Sequence, residues 1–205
     1  MPRARRKEAR PGEIVAAALA SFAERGYAAT KLEDVAAAAG ISKGTIYLYF
    51  PTKEDLFRAV VRQAVLPNVE AAEAQFASHT GSCADLLRLL ARRFLQLLDS
   101  DLTAIPKLIV AESGNFPAIA QFYADTVLRR AFRLIESILT RGMERGEFRR
   151  MDVHATLPLF AAPFLLLALW KHSLGRHTDL TFDARAVAEA HLDVLLRGLA
   201  ADVQP

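Results

Sequence analysis

The chain holds one cysteine, Cys83, in 205 residues, which excludes an intrachain disulfide and suits a reducing cytosol. It has no alternating apolar and polar stretch long enough for a strand and no internal repeat, so sheet and solenoid architectures are set aside. Neither sign of charge dominates, with 26 Lys and Arg against 23 Asp and Glu, and a hydrophobic share of 52% excludes disorder. No apolar run reaches the roughly 20 residues that cross a bilayer. The longest, Leu157–Trp170, has 14 and carries Pro158 and Pro163, so it reads as a buried helix or a subunit interface, not a membrane span. The basic start, Arg3 to Arg10, followed by Ile14–Ala23 imitates an export signal, but the run passes unbroken into an amphipathic helix. The histidines at 79, 154, 172, 177 and 191 have no metal-ligand spacing. Lys43-Gly44-Thr45 lacks the upstream glycine of a phosphate loop, and no nucleophile elbow, paired-carboxylate signature or dinucleotide fingerprint occurs. No catalytic residue, metal or cofactor is therefore expected, and the chain is not read as an enzyme.

Helical periodicity fills almost the whole sequence, giving an all-α reading with about nine helices. Ile14, Ala17, Ala18, Ser21 and Phe22 mark one face of the first helix, which Gly26 ends. Thr30 with Glu33 reads as a capping box for the second helix, and Thr52 with Asp55 as a polar cap for the fourth. Leu56, Phe57, Val60, Val61, Ala64 and Val65 run along that fourth helix until Pro67, which should kink or end it. Ser82 opens a fifth helix, and Pro106 lies in a short sixth that fails near Ser113-Gly114-Asn115. A long seventh runs from about Phe116 to Arg145, with Phe122, Leu128, Phe132, Ile135 and Leu139 as its buried positions. Asp152 and Asp183 are N-caps for the eighth and ninth.

The most informative stretch is 33–53, EDVAAAAGISKGTIYLYFPTK, two short helices joined by a glycine turn. Ala36 lets the helices approach, Gly40 supplies the left-handed turn residue, and Ser42 caps the second helix. That helix presents Lys43, Gly44 and Thr45 at its start, while Ile46 and Phe50, four apart, bury its opposite face. Tyr47 and Tyr49 lie two apart and cannot share a face, so at least one is exposed. Charge agrees with nucleic-acid binding: residues 1–53 carry nine Lys and Arg against five Asp and Glu, whereas 54–205 carry 17 against 18.

Over residues 12–57 the sequence resembles the TetR family of bacterial transcriptional regulators almost position for position, with glycines, caps and aromatic residues in place. The remainder resembles it in helix count and in the turns around Glu112 to Pro117 and Arg141 to Gly146. The resemblance implies a DNA-binding helix-turn-helix domain of three helices with a basic N-terminal arm, residues 1–53, and a helical ligand-binding and dimerisation domain, 54–205. It further implies a cytoplasmic homodimer, paired through the eighth and ninth helices, on a palindromic double-stranded operator. A small molecule, apolar in character, would release it. Carried onto this chain, Lys43 contacts bases or phosphates, Gly44 permits close approach and Thr45 reads bases. Tyr47, Tyr49, Thr30 and Lys53 touch the backbone. Tyr49 stands where a histidine is frequent, and Leu48 where some members are aromatic.

Arg3, Arg5 and Arg6 are expected to reach a neighbouring minor groove. Phe76, Phe94, Phe122, Phe132 and Trp170 are the aromatic candidates for a ligand pocket. The competing reading is a helical small-molecule-binding or scaffold protein that keeps the reader fold without using it for DNA. Lys43, Thr45, Tyr47 and Lys53, with the confined basic excess, favour a regulator.

Overall fold

The computed structural model describes residues 3–201, with side chains over 11–201. Among the described residues the chain is all-α, with nine helices and one isolated antiparallel bridge between Phe148 and Ala200. They are α1 (Arg3–Ala29), α2 (Leu32–Ala38) and α3 (Lys43–Tyr49), then α4 over 53–78. In α4, Lys53–Val60 passes through a π-helical turn, Val61–Val65, into Leu66–Ser78. There follow α5 (Cys83–Leu97), α6 (Ala104–Glu112) and α7 over 117–144, which has its own π turn at Ala124–Leu128. The last two are α8 (Val153–His172) and α9 (Ala184–Leu199).

Short-range chemistry sets most of these boundaries. The side chains of Ser42, Thr52, Ser82, Asp152 and Asp183 each accept a backbone N–H in the first turn of the helix they precede. This satisfies donors that helix geometry leaves free. Gly40, at φ +64°, turns the chain between α2 and α3.

Two apolar cores divide the molecule. The first gathers Ile14, Ala18, Phe22, Val35, Ile46, Phe50, Leu56, Phe57 and Val60 with Ile105, Leu108, Ile119 and Tyr123, so α6 and the start of α7 close over α1 to α4. The second gathers Ala72, Leu86, Leu87, Ile138, Leu139, Phe160, Phe164 and Leu195 from α4, α5, α7, α8 and α9. Only α4 and α7 contribute buried residues to both. At about 25 cal/mol per Å² of apolar surface removed from water, each core is the main source of stability for its half.

Three expectations are corrected. Thr30 does not cap α2: the N-cap is Lys31, which makes no side-chain bond, while Thr30 is 1% exposed and donates to the carbonyls of Gly26 and Ser21. Gly26, at φ 80° and ψ 176°, breaks the helical path inside α1, and the hydroxyl turns to the oxygens near that break. Pro67 does not end α4 either. The π turn widens the helix just before the proline, and the Asn68 side chain donates to the Ala64 carbonyl at 2.9 Å, so the helix continues to Ser78. In α7 the π turn inserts one extra residue and shifts the helical phase, so Phe132 lies 40% exposed while Ile119, Tyr123, Val127, Leu134 and Ile138 are buried with Ile135 and Leu139.

The apolar run at Leu157–Trp170 sits within a longer helix than its own length suggested. Val153–Arg176, α8 with its trailing turn, is long and apolar enough by length and composition to cross a membrane. One face lies in the second core, and the other leaves Leu159, Leu165 and Leu166 exposed.

Candidate nucleic-acid interface

The unit that would meet DNA is built from behind. Ile46 is fully buried and Phe50 is 8% exposed, fixing one side of α3 into the first core. Ser42 Oγ accepts from Thr45 N at 3.2 Å and lies 2.8 Å from Thr45 Oγ1, which sets the first turn and leaves Thr45 half-buried. The opposite side is open. Lys43, Gly44, Tyr47 and Leu48 are exposed, Leu48 by 84%, whereas Tyr49 is half-buried against the core. The two tyrosines thus face different surroundings.

Electrostatics on that open side centre on Glu33, the second residue of α2. Its Oε1 receives the Lys43 ammonium at 3.0 Å and the Tyr47 hydroxyl at 3.0 Å. These two bonds, with help from its own backbone N–H, pull the Glu33 carboxyl down to about 2. The same contact raises Lys43 and Tyr47 above their ordinary values. All three groups remain exposed, so solvent and a polyanion both reach them. Reading the sequence, Glu33 was a capping acid. Its pairing with a lysine ten positions away depends on how α2 and α3 cross, which local spacing does not report. Leu48 was legible only as a departure, although its offset of two from buried Ile46 already turned it outward.

Lys53 occupies a different environment. Its ammonium donates to the carbonyls of Tyr27 at 2.7 Å and Ala28 at 3.0 Å and lies 4.6 Å from the Tyr27 ring centre. Burial lowers its pKa. It therefore fastens the start of α4 to the end of α1, with one N–H left over. Thr30 is likewise turned inward. The side chains of Arg3, Arg5 and Arg6 lie outside the described residues.

The five aromatic pocket candidates do not converge. Phe76 faces the Arg141 guanidinium at 3.9 Å, and Phe94 meets Phe164 at 5.2 Å. Phe122 carries Arg58 at 4.9 Å and Arg62 at 5.3 Å, Phe132 is exposed, and Trp170 packs on Phe182 at 4.8 Å. A cleft of about 850 Å³ instead opens between α5 and α9, lined by Arg88, Arg92, Leu95, Leu192 and Leu196 among others.

With this geometry in hand, comparison with known proteins is informative. The family profile "Bacterial regulatory proteins, tetR family" matches residues 14–60, and "Tetracyclin repressor-like, C-terminal domain" matches residues 77–190. The fatty acid metabolism regulator protein of Bacillus subtilis is 25% identical over 197 residues, covering 94% of this chain and 98% of that protein. The transcriptional regulator CymR of Pseudomonas putida is 30% identical over 140 residues, 66% of this chain and 68% of that one. Among solved structures, FadR from Bacillus subtilis in complex with stearoyl-CoA superposes with a TM-score of 0.77 at 23% identity, over 92% of this chain and 98% of that chain, which is a likeness of fold. Two profiles in the expected order, laid over an exposed α3 and a helical second core, settle the assignment: the chain belongs to the tetR family of bacterial regulatory proteins, ligand-responsive transcriptional regulators that bind DNA through a helix-turn-helix.

Proposed function

We propose that this regulator acts in the cytoplasm as a homodimeric repressor, setting two copies of α3 into successive major grooves of a palindromic operator and leaving it when an apolar effector binds the helical domain. The observation that carries the DNA half is the exposed set Lys43, Gly44, Tyr47 and Leu48, held rigid from behind by Ile46, Phe50 and the Ser42 cap. Lys43 and Thr45 read base edges, Gly44 lets the backbone come close, and Tyr47 and Tyr49 serve the sugar-phosphate backbone. Leu48 suits a thymine methyl. Arg3, Arg5 and Arg6 remain proposed for the minor groove. Thr30 and Lys53, both engaged inside the protein, hold the reader in place and contribute to DNA through that support.

Half-sites about 34 Å apart require two subunits. The exposed Leu159, Ala162, Leu165 and Leu166 of α8 form one apolar face. On α9, Ala186, Ala190, Val194 and Gly198 recur every four residues on the exposed side, small enough for close helix approach. These faces favour a four-helix interface with the symmetry-related α8 and α9. We place the domain boundary at 53/54, the start of α4, whose first half seats Leu56 and Phe57 in one core and whose second half seats Ala72 in the other.

For the effector, relatives described as a fatty acid metabolism regulator and as a complex with stearoyl-CoA support an acyl-chain type of molecule. The phenylalanines of the second core, Phe76, Phe94, Phe160 and Phe164, suit such a chain. A mobility-shift titration on the duplex flanking its own gene, with salt varied and then a long-chain acyl thioester added, tests both halves. Binding no tighter than to a scrambled duplex defeats the operator reading. Retention of the complex at saturating thioester defeats the effector reading. Light scattering that reports a monomer, or a dimer unaffected by Leu166→Glu with Leu159→Glu, defeats the interface.

A further inference from the structure

We infer that Glu33 is a charge gate on the reading face: it engages Lys43 and Tyr47 so that unmatched duplex gains little from them, and thereby raises the contrast between operator and bulk DNA. This rests on the reading of α3 as the DNA-contacting helix. One carboxylate oxygen takes both donors, the Lys43 ammonium and the Tyr47 hydroxyl, each at 3.0 Å. Lys43 and Tyr47 stand one turn apart on α3, so the carboxylate occupies the place where a phosphate oxygen would meet the same pair.

Any duplex offers phosphates. A phosphate that takes Lys43 must displace a carboxylate already there, and the freed acid then faces a polyanion. That penalty is equal for all sequences. It is offset only where base edges offer acceptors to Lys43 and a donor to Glu33, and a G·C pair presents both in the major groove: guanine O6 and N7, and the cytosine amino group. Because Glu33 stays ionised across the ordinary pH range, the gate is set by DNA sequence and salt, not by acid.

The test measures wild type, Glu33→Gln, Lys43→Gln and the double variant by mobility shift on two duplexes, the sequence flanking the gene and its scrambled counterpart, over a salt series. Glu33→Gln should bind the scrambled duplex on the order of tenfold tighter per dimer, since two exposed pairs of modest strength are removed. Its salt slope should steepen by about two, one released counterion per subunit. The ratio of flanking to scrambled affinity should fall. In the Lys43→Gln background the same change should give no gain, because the gate acts through that lysine. Unchanged or weaker scrambled binding by Glu33→Gln, or a gain that persists without Lys43, overturns the gate while leaving DNA binding intact. A wild-type chain that binds neither duplex overturns the underlying reading, and the gate with it.

Discussion

Glu112, the last residue of α6, accepts the backbone N–H of Ala28 through Oε1 at 3.1 Å, tying the regulatory half to the junction of α1 and α2 across 84 residues of sequence. Ala28 also gives its carbonyl to Lys53 at 3.0 Å, so one short peptide segment is held by an acid from α6 and a cation from α4. Ile105, Leu108 and Ile109 of α6 lie in the same core as Phe22 and Phe57. Any movement of α6 therefore reaches the reader through a packed contact and a hydrogen bond together.

Glu112→Ala removes the acceptor and leaves the Ala28 amide to water. Since the bond lies at the surface, the expected loss of stability is about 1 kcal/mol in urea denaturation. Glu112→Gln, which keeps an amide oxygen, should recover most of it.

Gly26→Ala should be more damaging than Gly40→Ala. Gly26 sits at φ 80° and ψ 176°, a region nearly closed to side-chain-bearing residues, whereas Gly40 at φ 64° lies nearer the ordinary left-handed basin. An added Cβ at Gly26 meets Glu112 Oε1 at 3.5 Å, an ordinary contact, so the penalty is in the backbone. A cost of about 1–3 kcal/mol is expected from the strained conformation, read as a shift in the denaturation midpoint.

Lys53→Ala and Lys43→Ala should separate support from recognition. Loss of the two carbonyl contacts at 2.7 and 3.0 Å should destabilise Lys53→Ala by about 1–2 kcal/mol and leave the salt slope of DNA binding unaltered. Lys43→Ala should leave the unfolding midpoint in place and weaken operator binding on the order of tenfold or more, because a base contact is lost in each half-site.

Acid sensitivity should trace in part to His172. Its Nε2 lies 2.9 Å from Thr103 Oγ1 and its Nδ1 has no partner. Burial first, then the nearby Lys171 and Arg176 cations, lowers its pKa from the ordinary 6.5. The unfolded chain then takes up a proton at higher pH than the folded one. Stability from this site is complete above 6.5 and falls as pH drops toward the depressed native value. His191, desolvated between Phe160 and Phe164, adds a slope of the same sign. Melting temperatures compared at about pH 5 and pH 7.5 should differ less in His172→Gln than in the wild type.

How far the sequence could be read depended on the range of the interaction. Ser42, Thr52, Ser82, Asp152 and Asp183 were recognisable as caps because their partners lie two or three residues away. Ile46 and Phe50 were recognisable because a single helical turn relates them. Thr30 misled because its best acceptors come from the break at Gly26, an irregular path that composition does not encode. Phe132 misled because a π turn moves the buried face without changing the residue types around it. Glu33 and the scattered aromatics depend on how whole helices cross. Such geometry emerges from both cores at once and leaves no trace in local spacing.

The π turn at Val61–Val65 makes α4 intolerant of length changes. Removing one residue there would restore regular winding and rotate everything downstream by about 100° relative to Leu56 and Phe57. Ala72 and Phe76 would swing out of their core, whereas trimming the stretch between α8 and α9 leaves both helices seated. Deletion scanning should therefore find five consecutive codons under much tighter constraint than the residue types they encode would suggest.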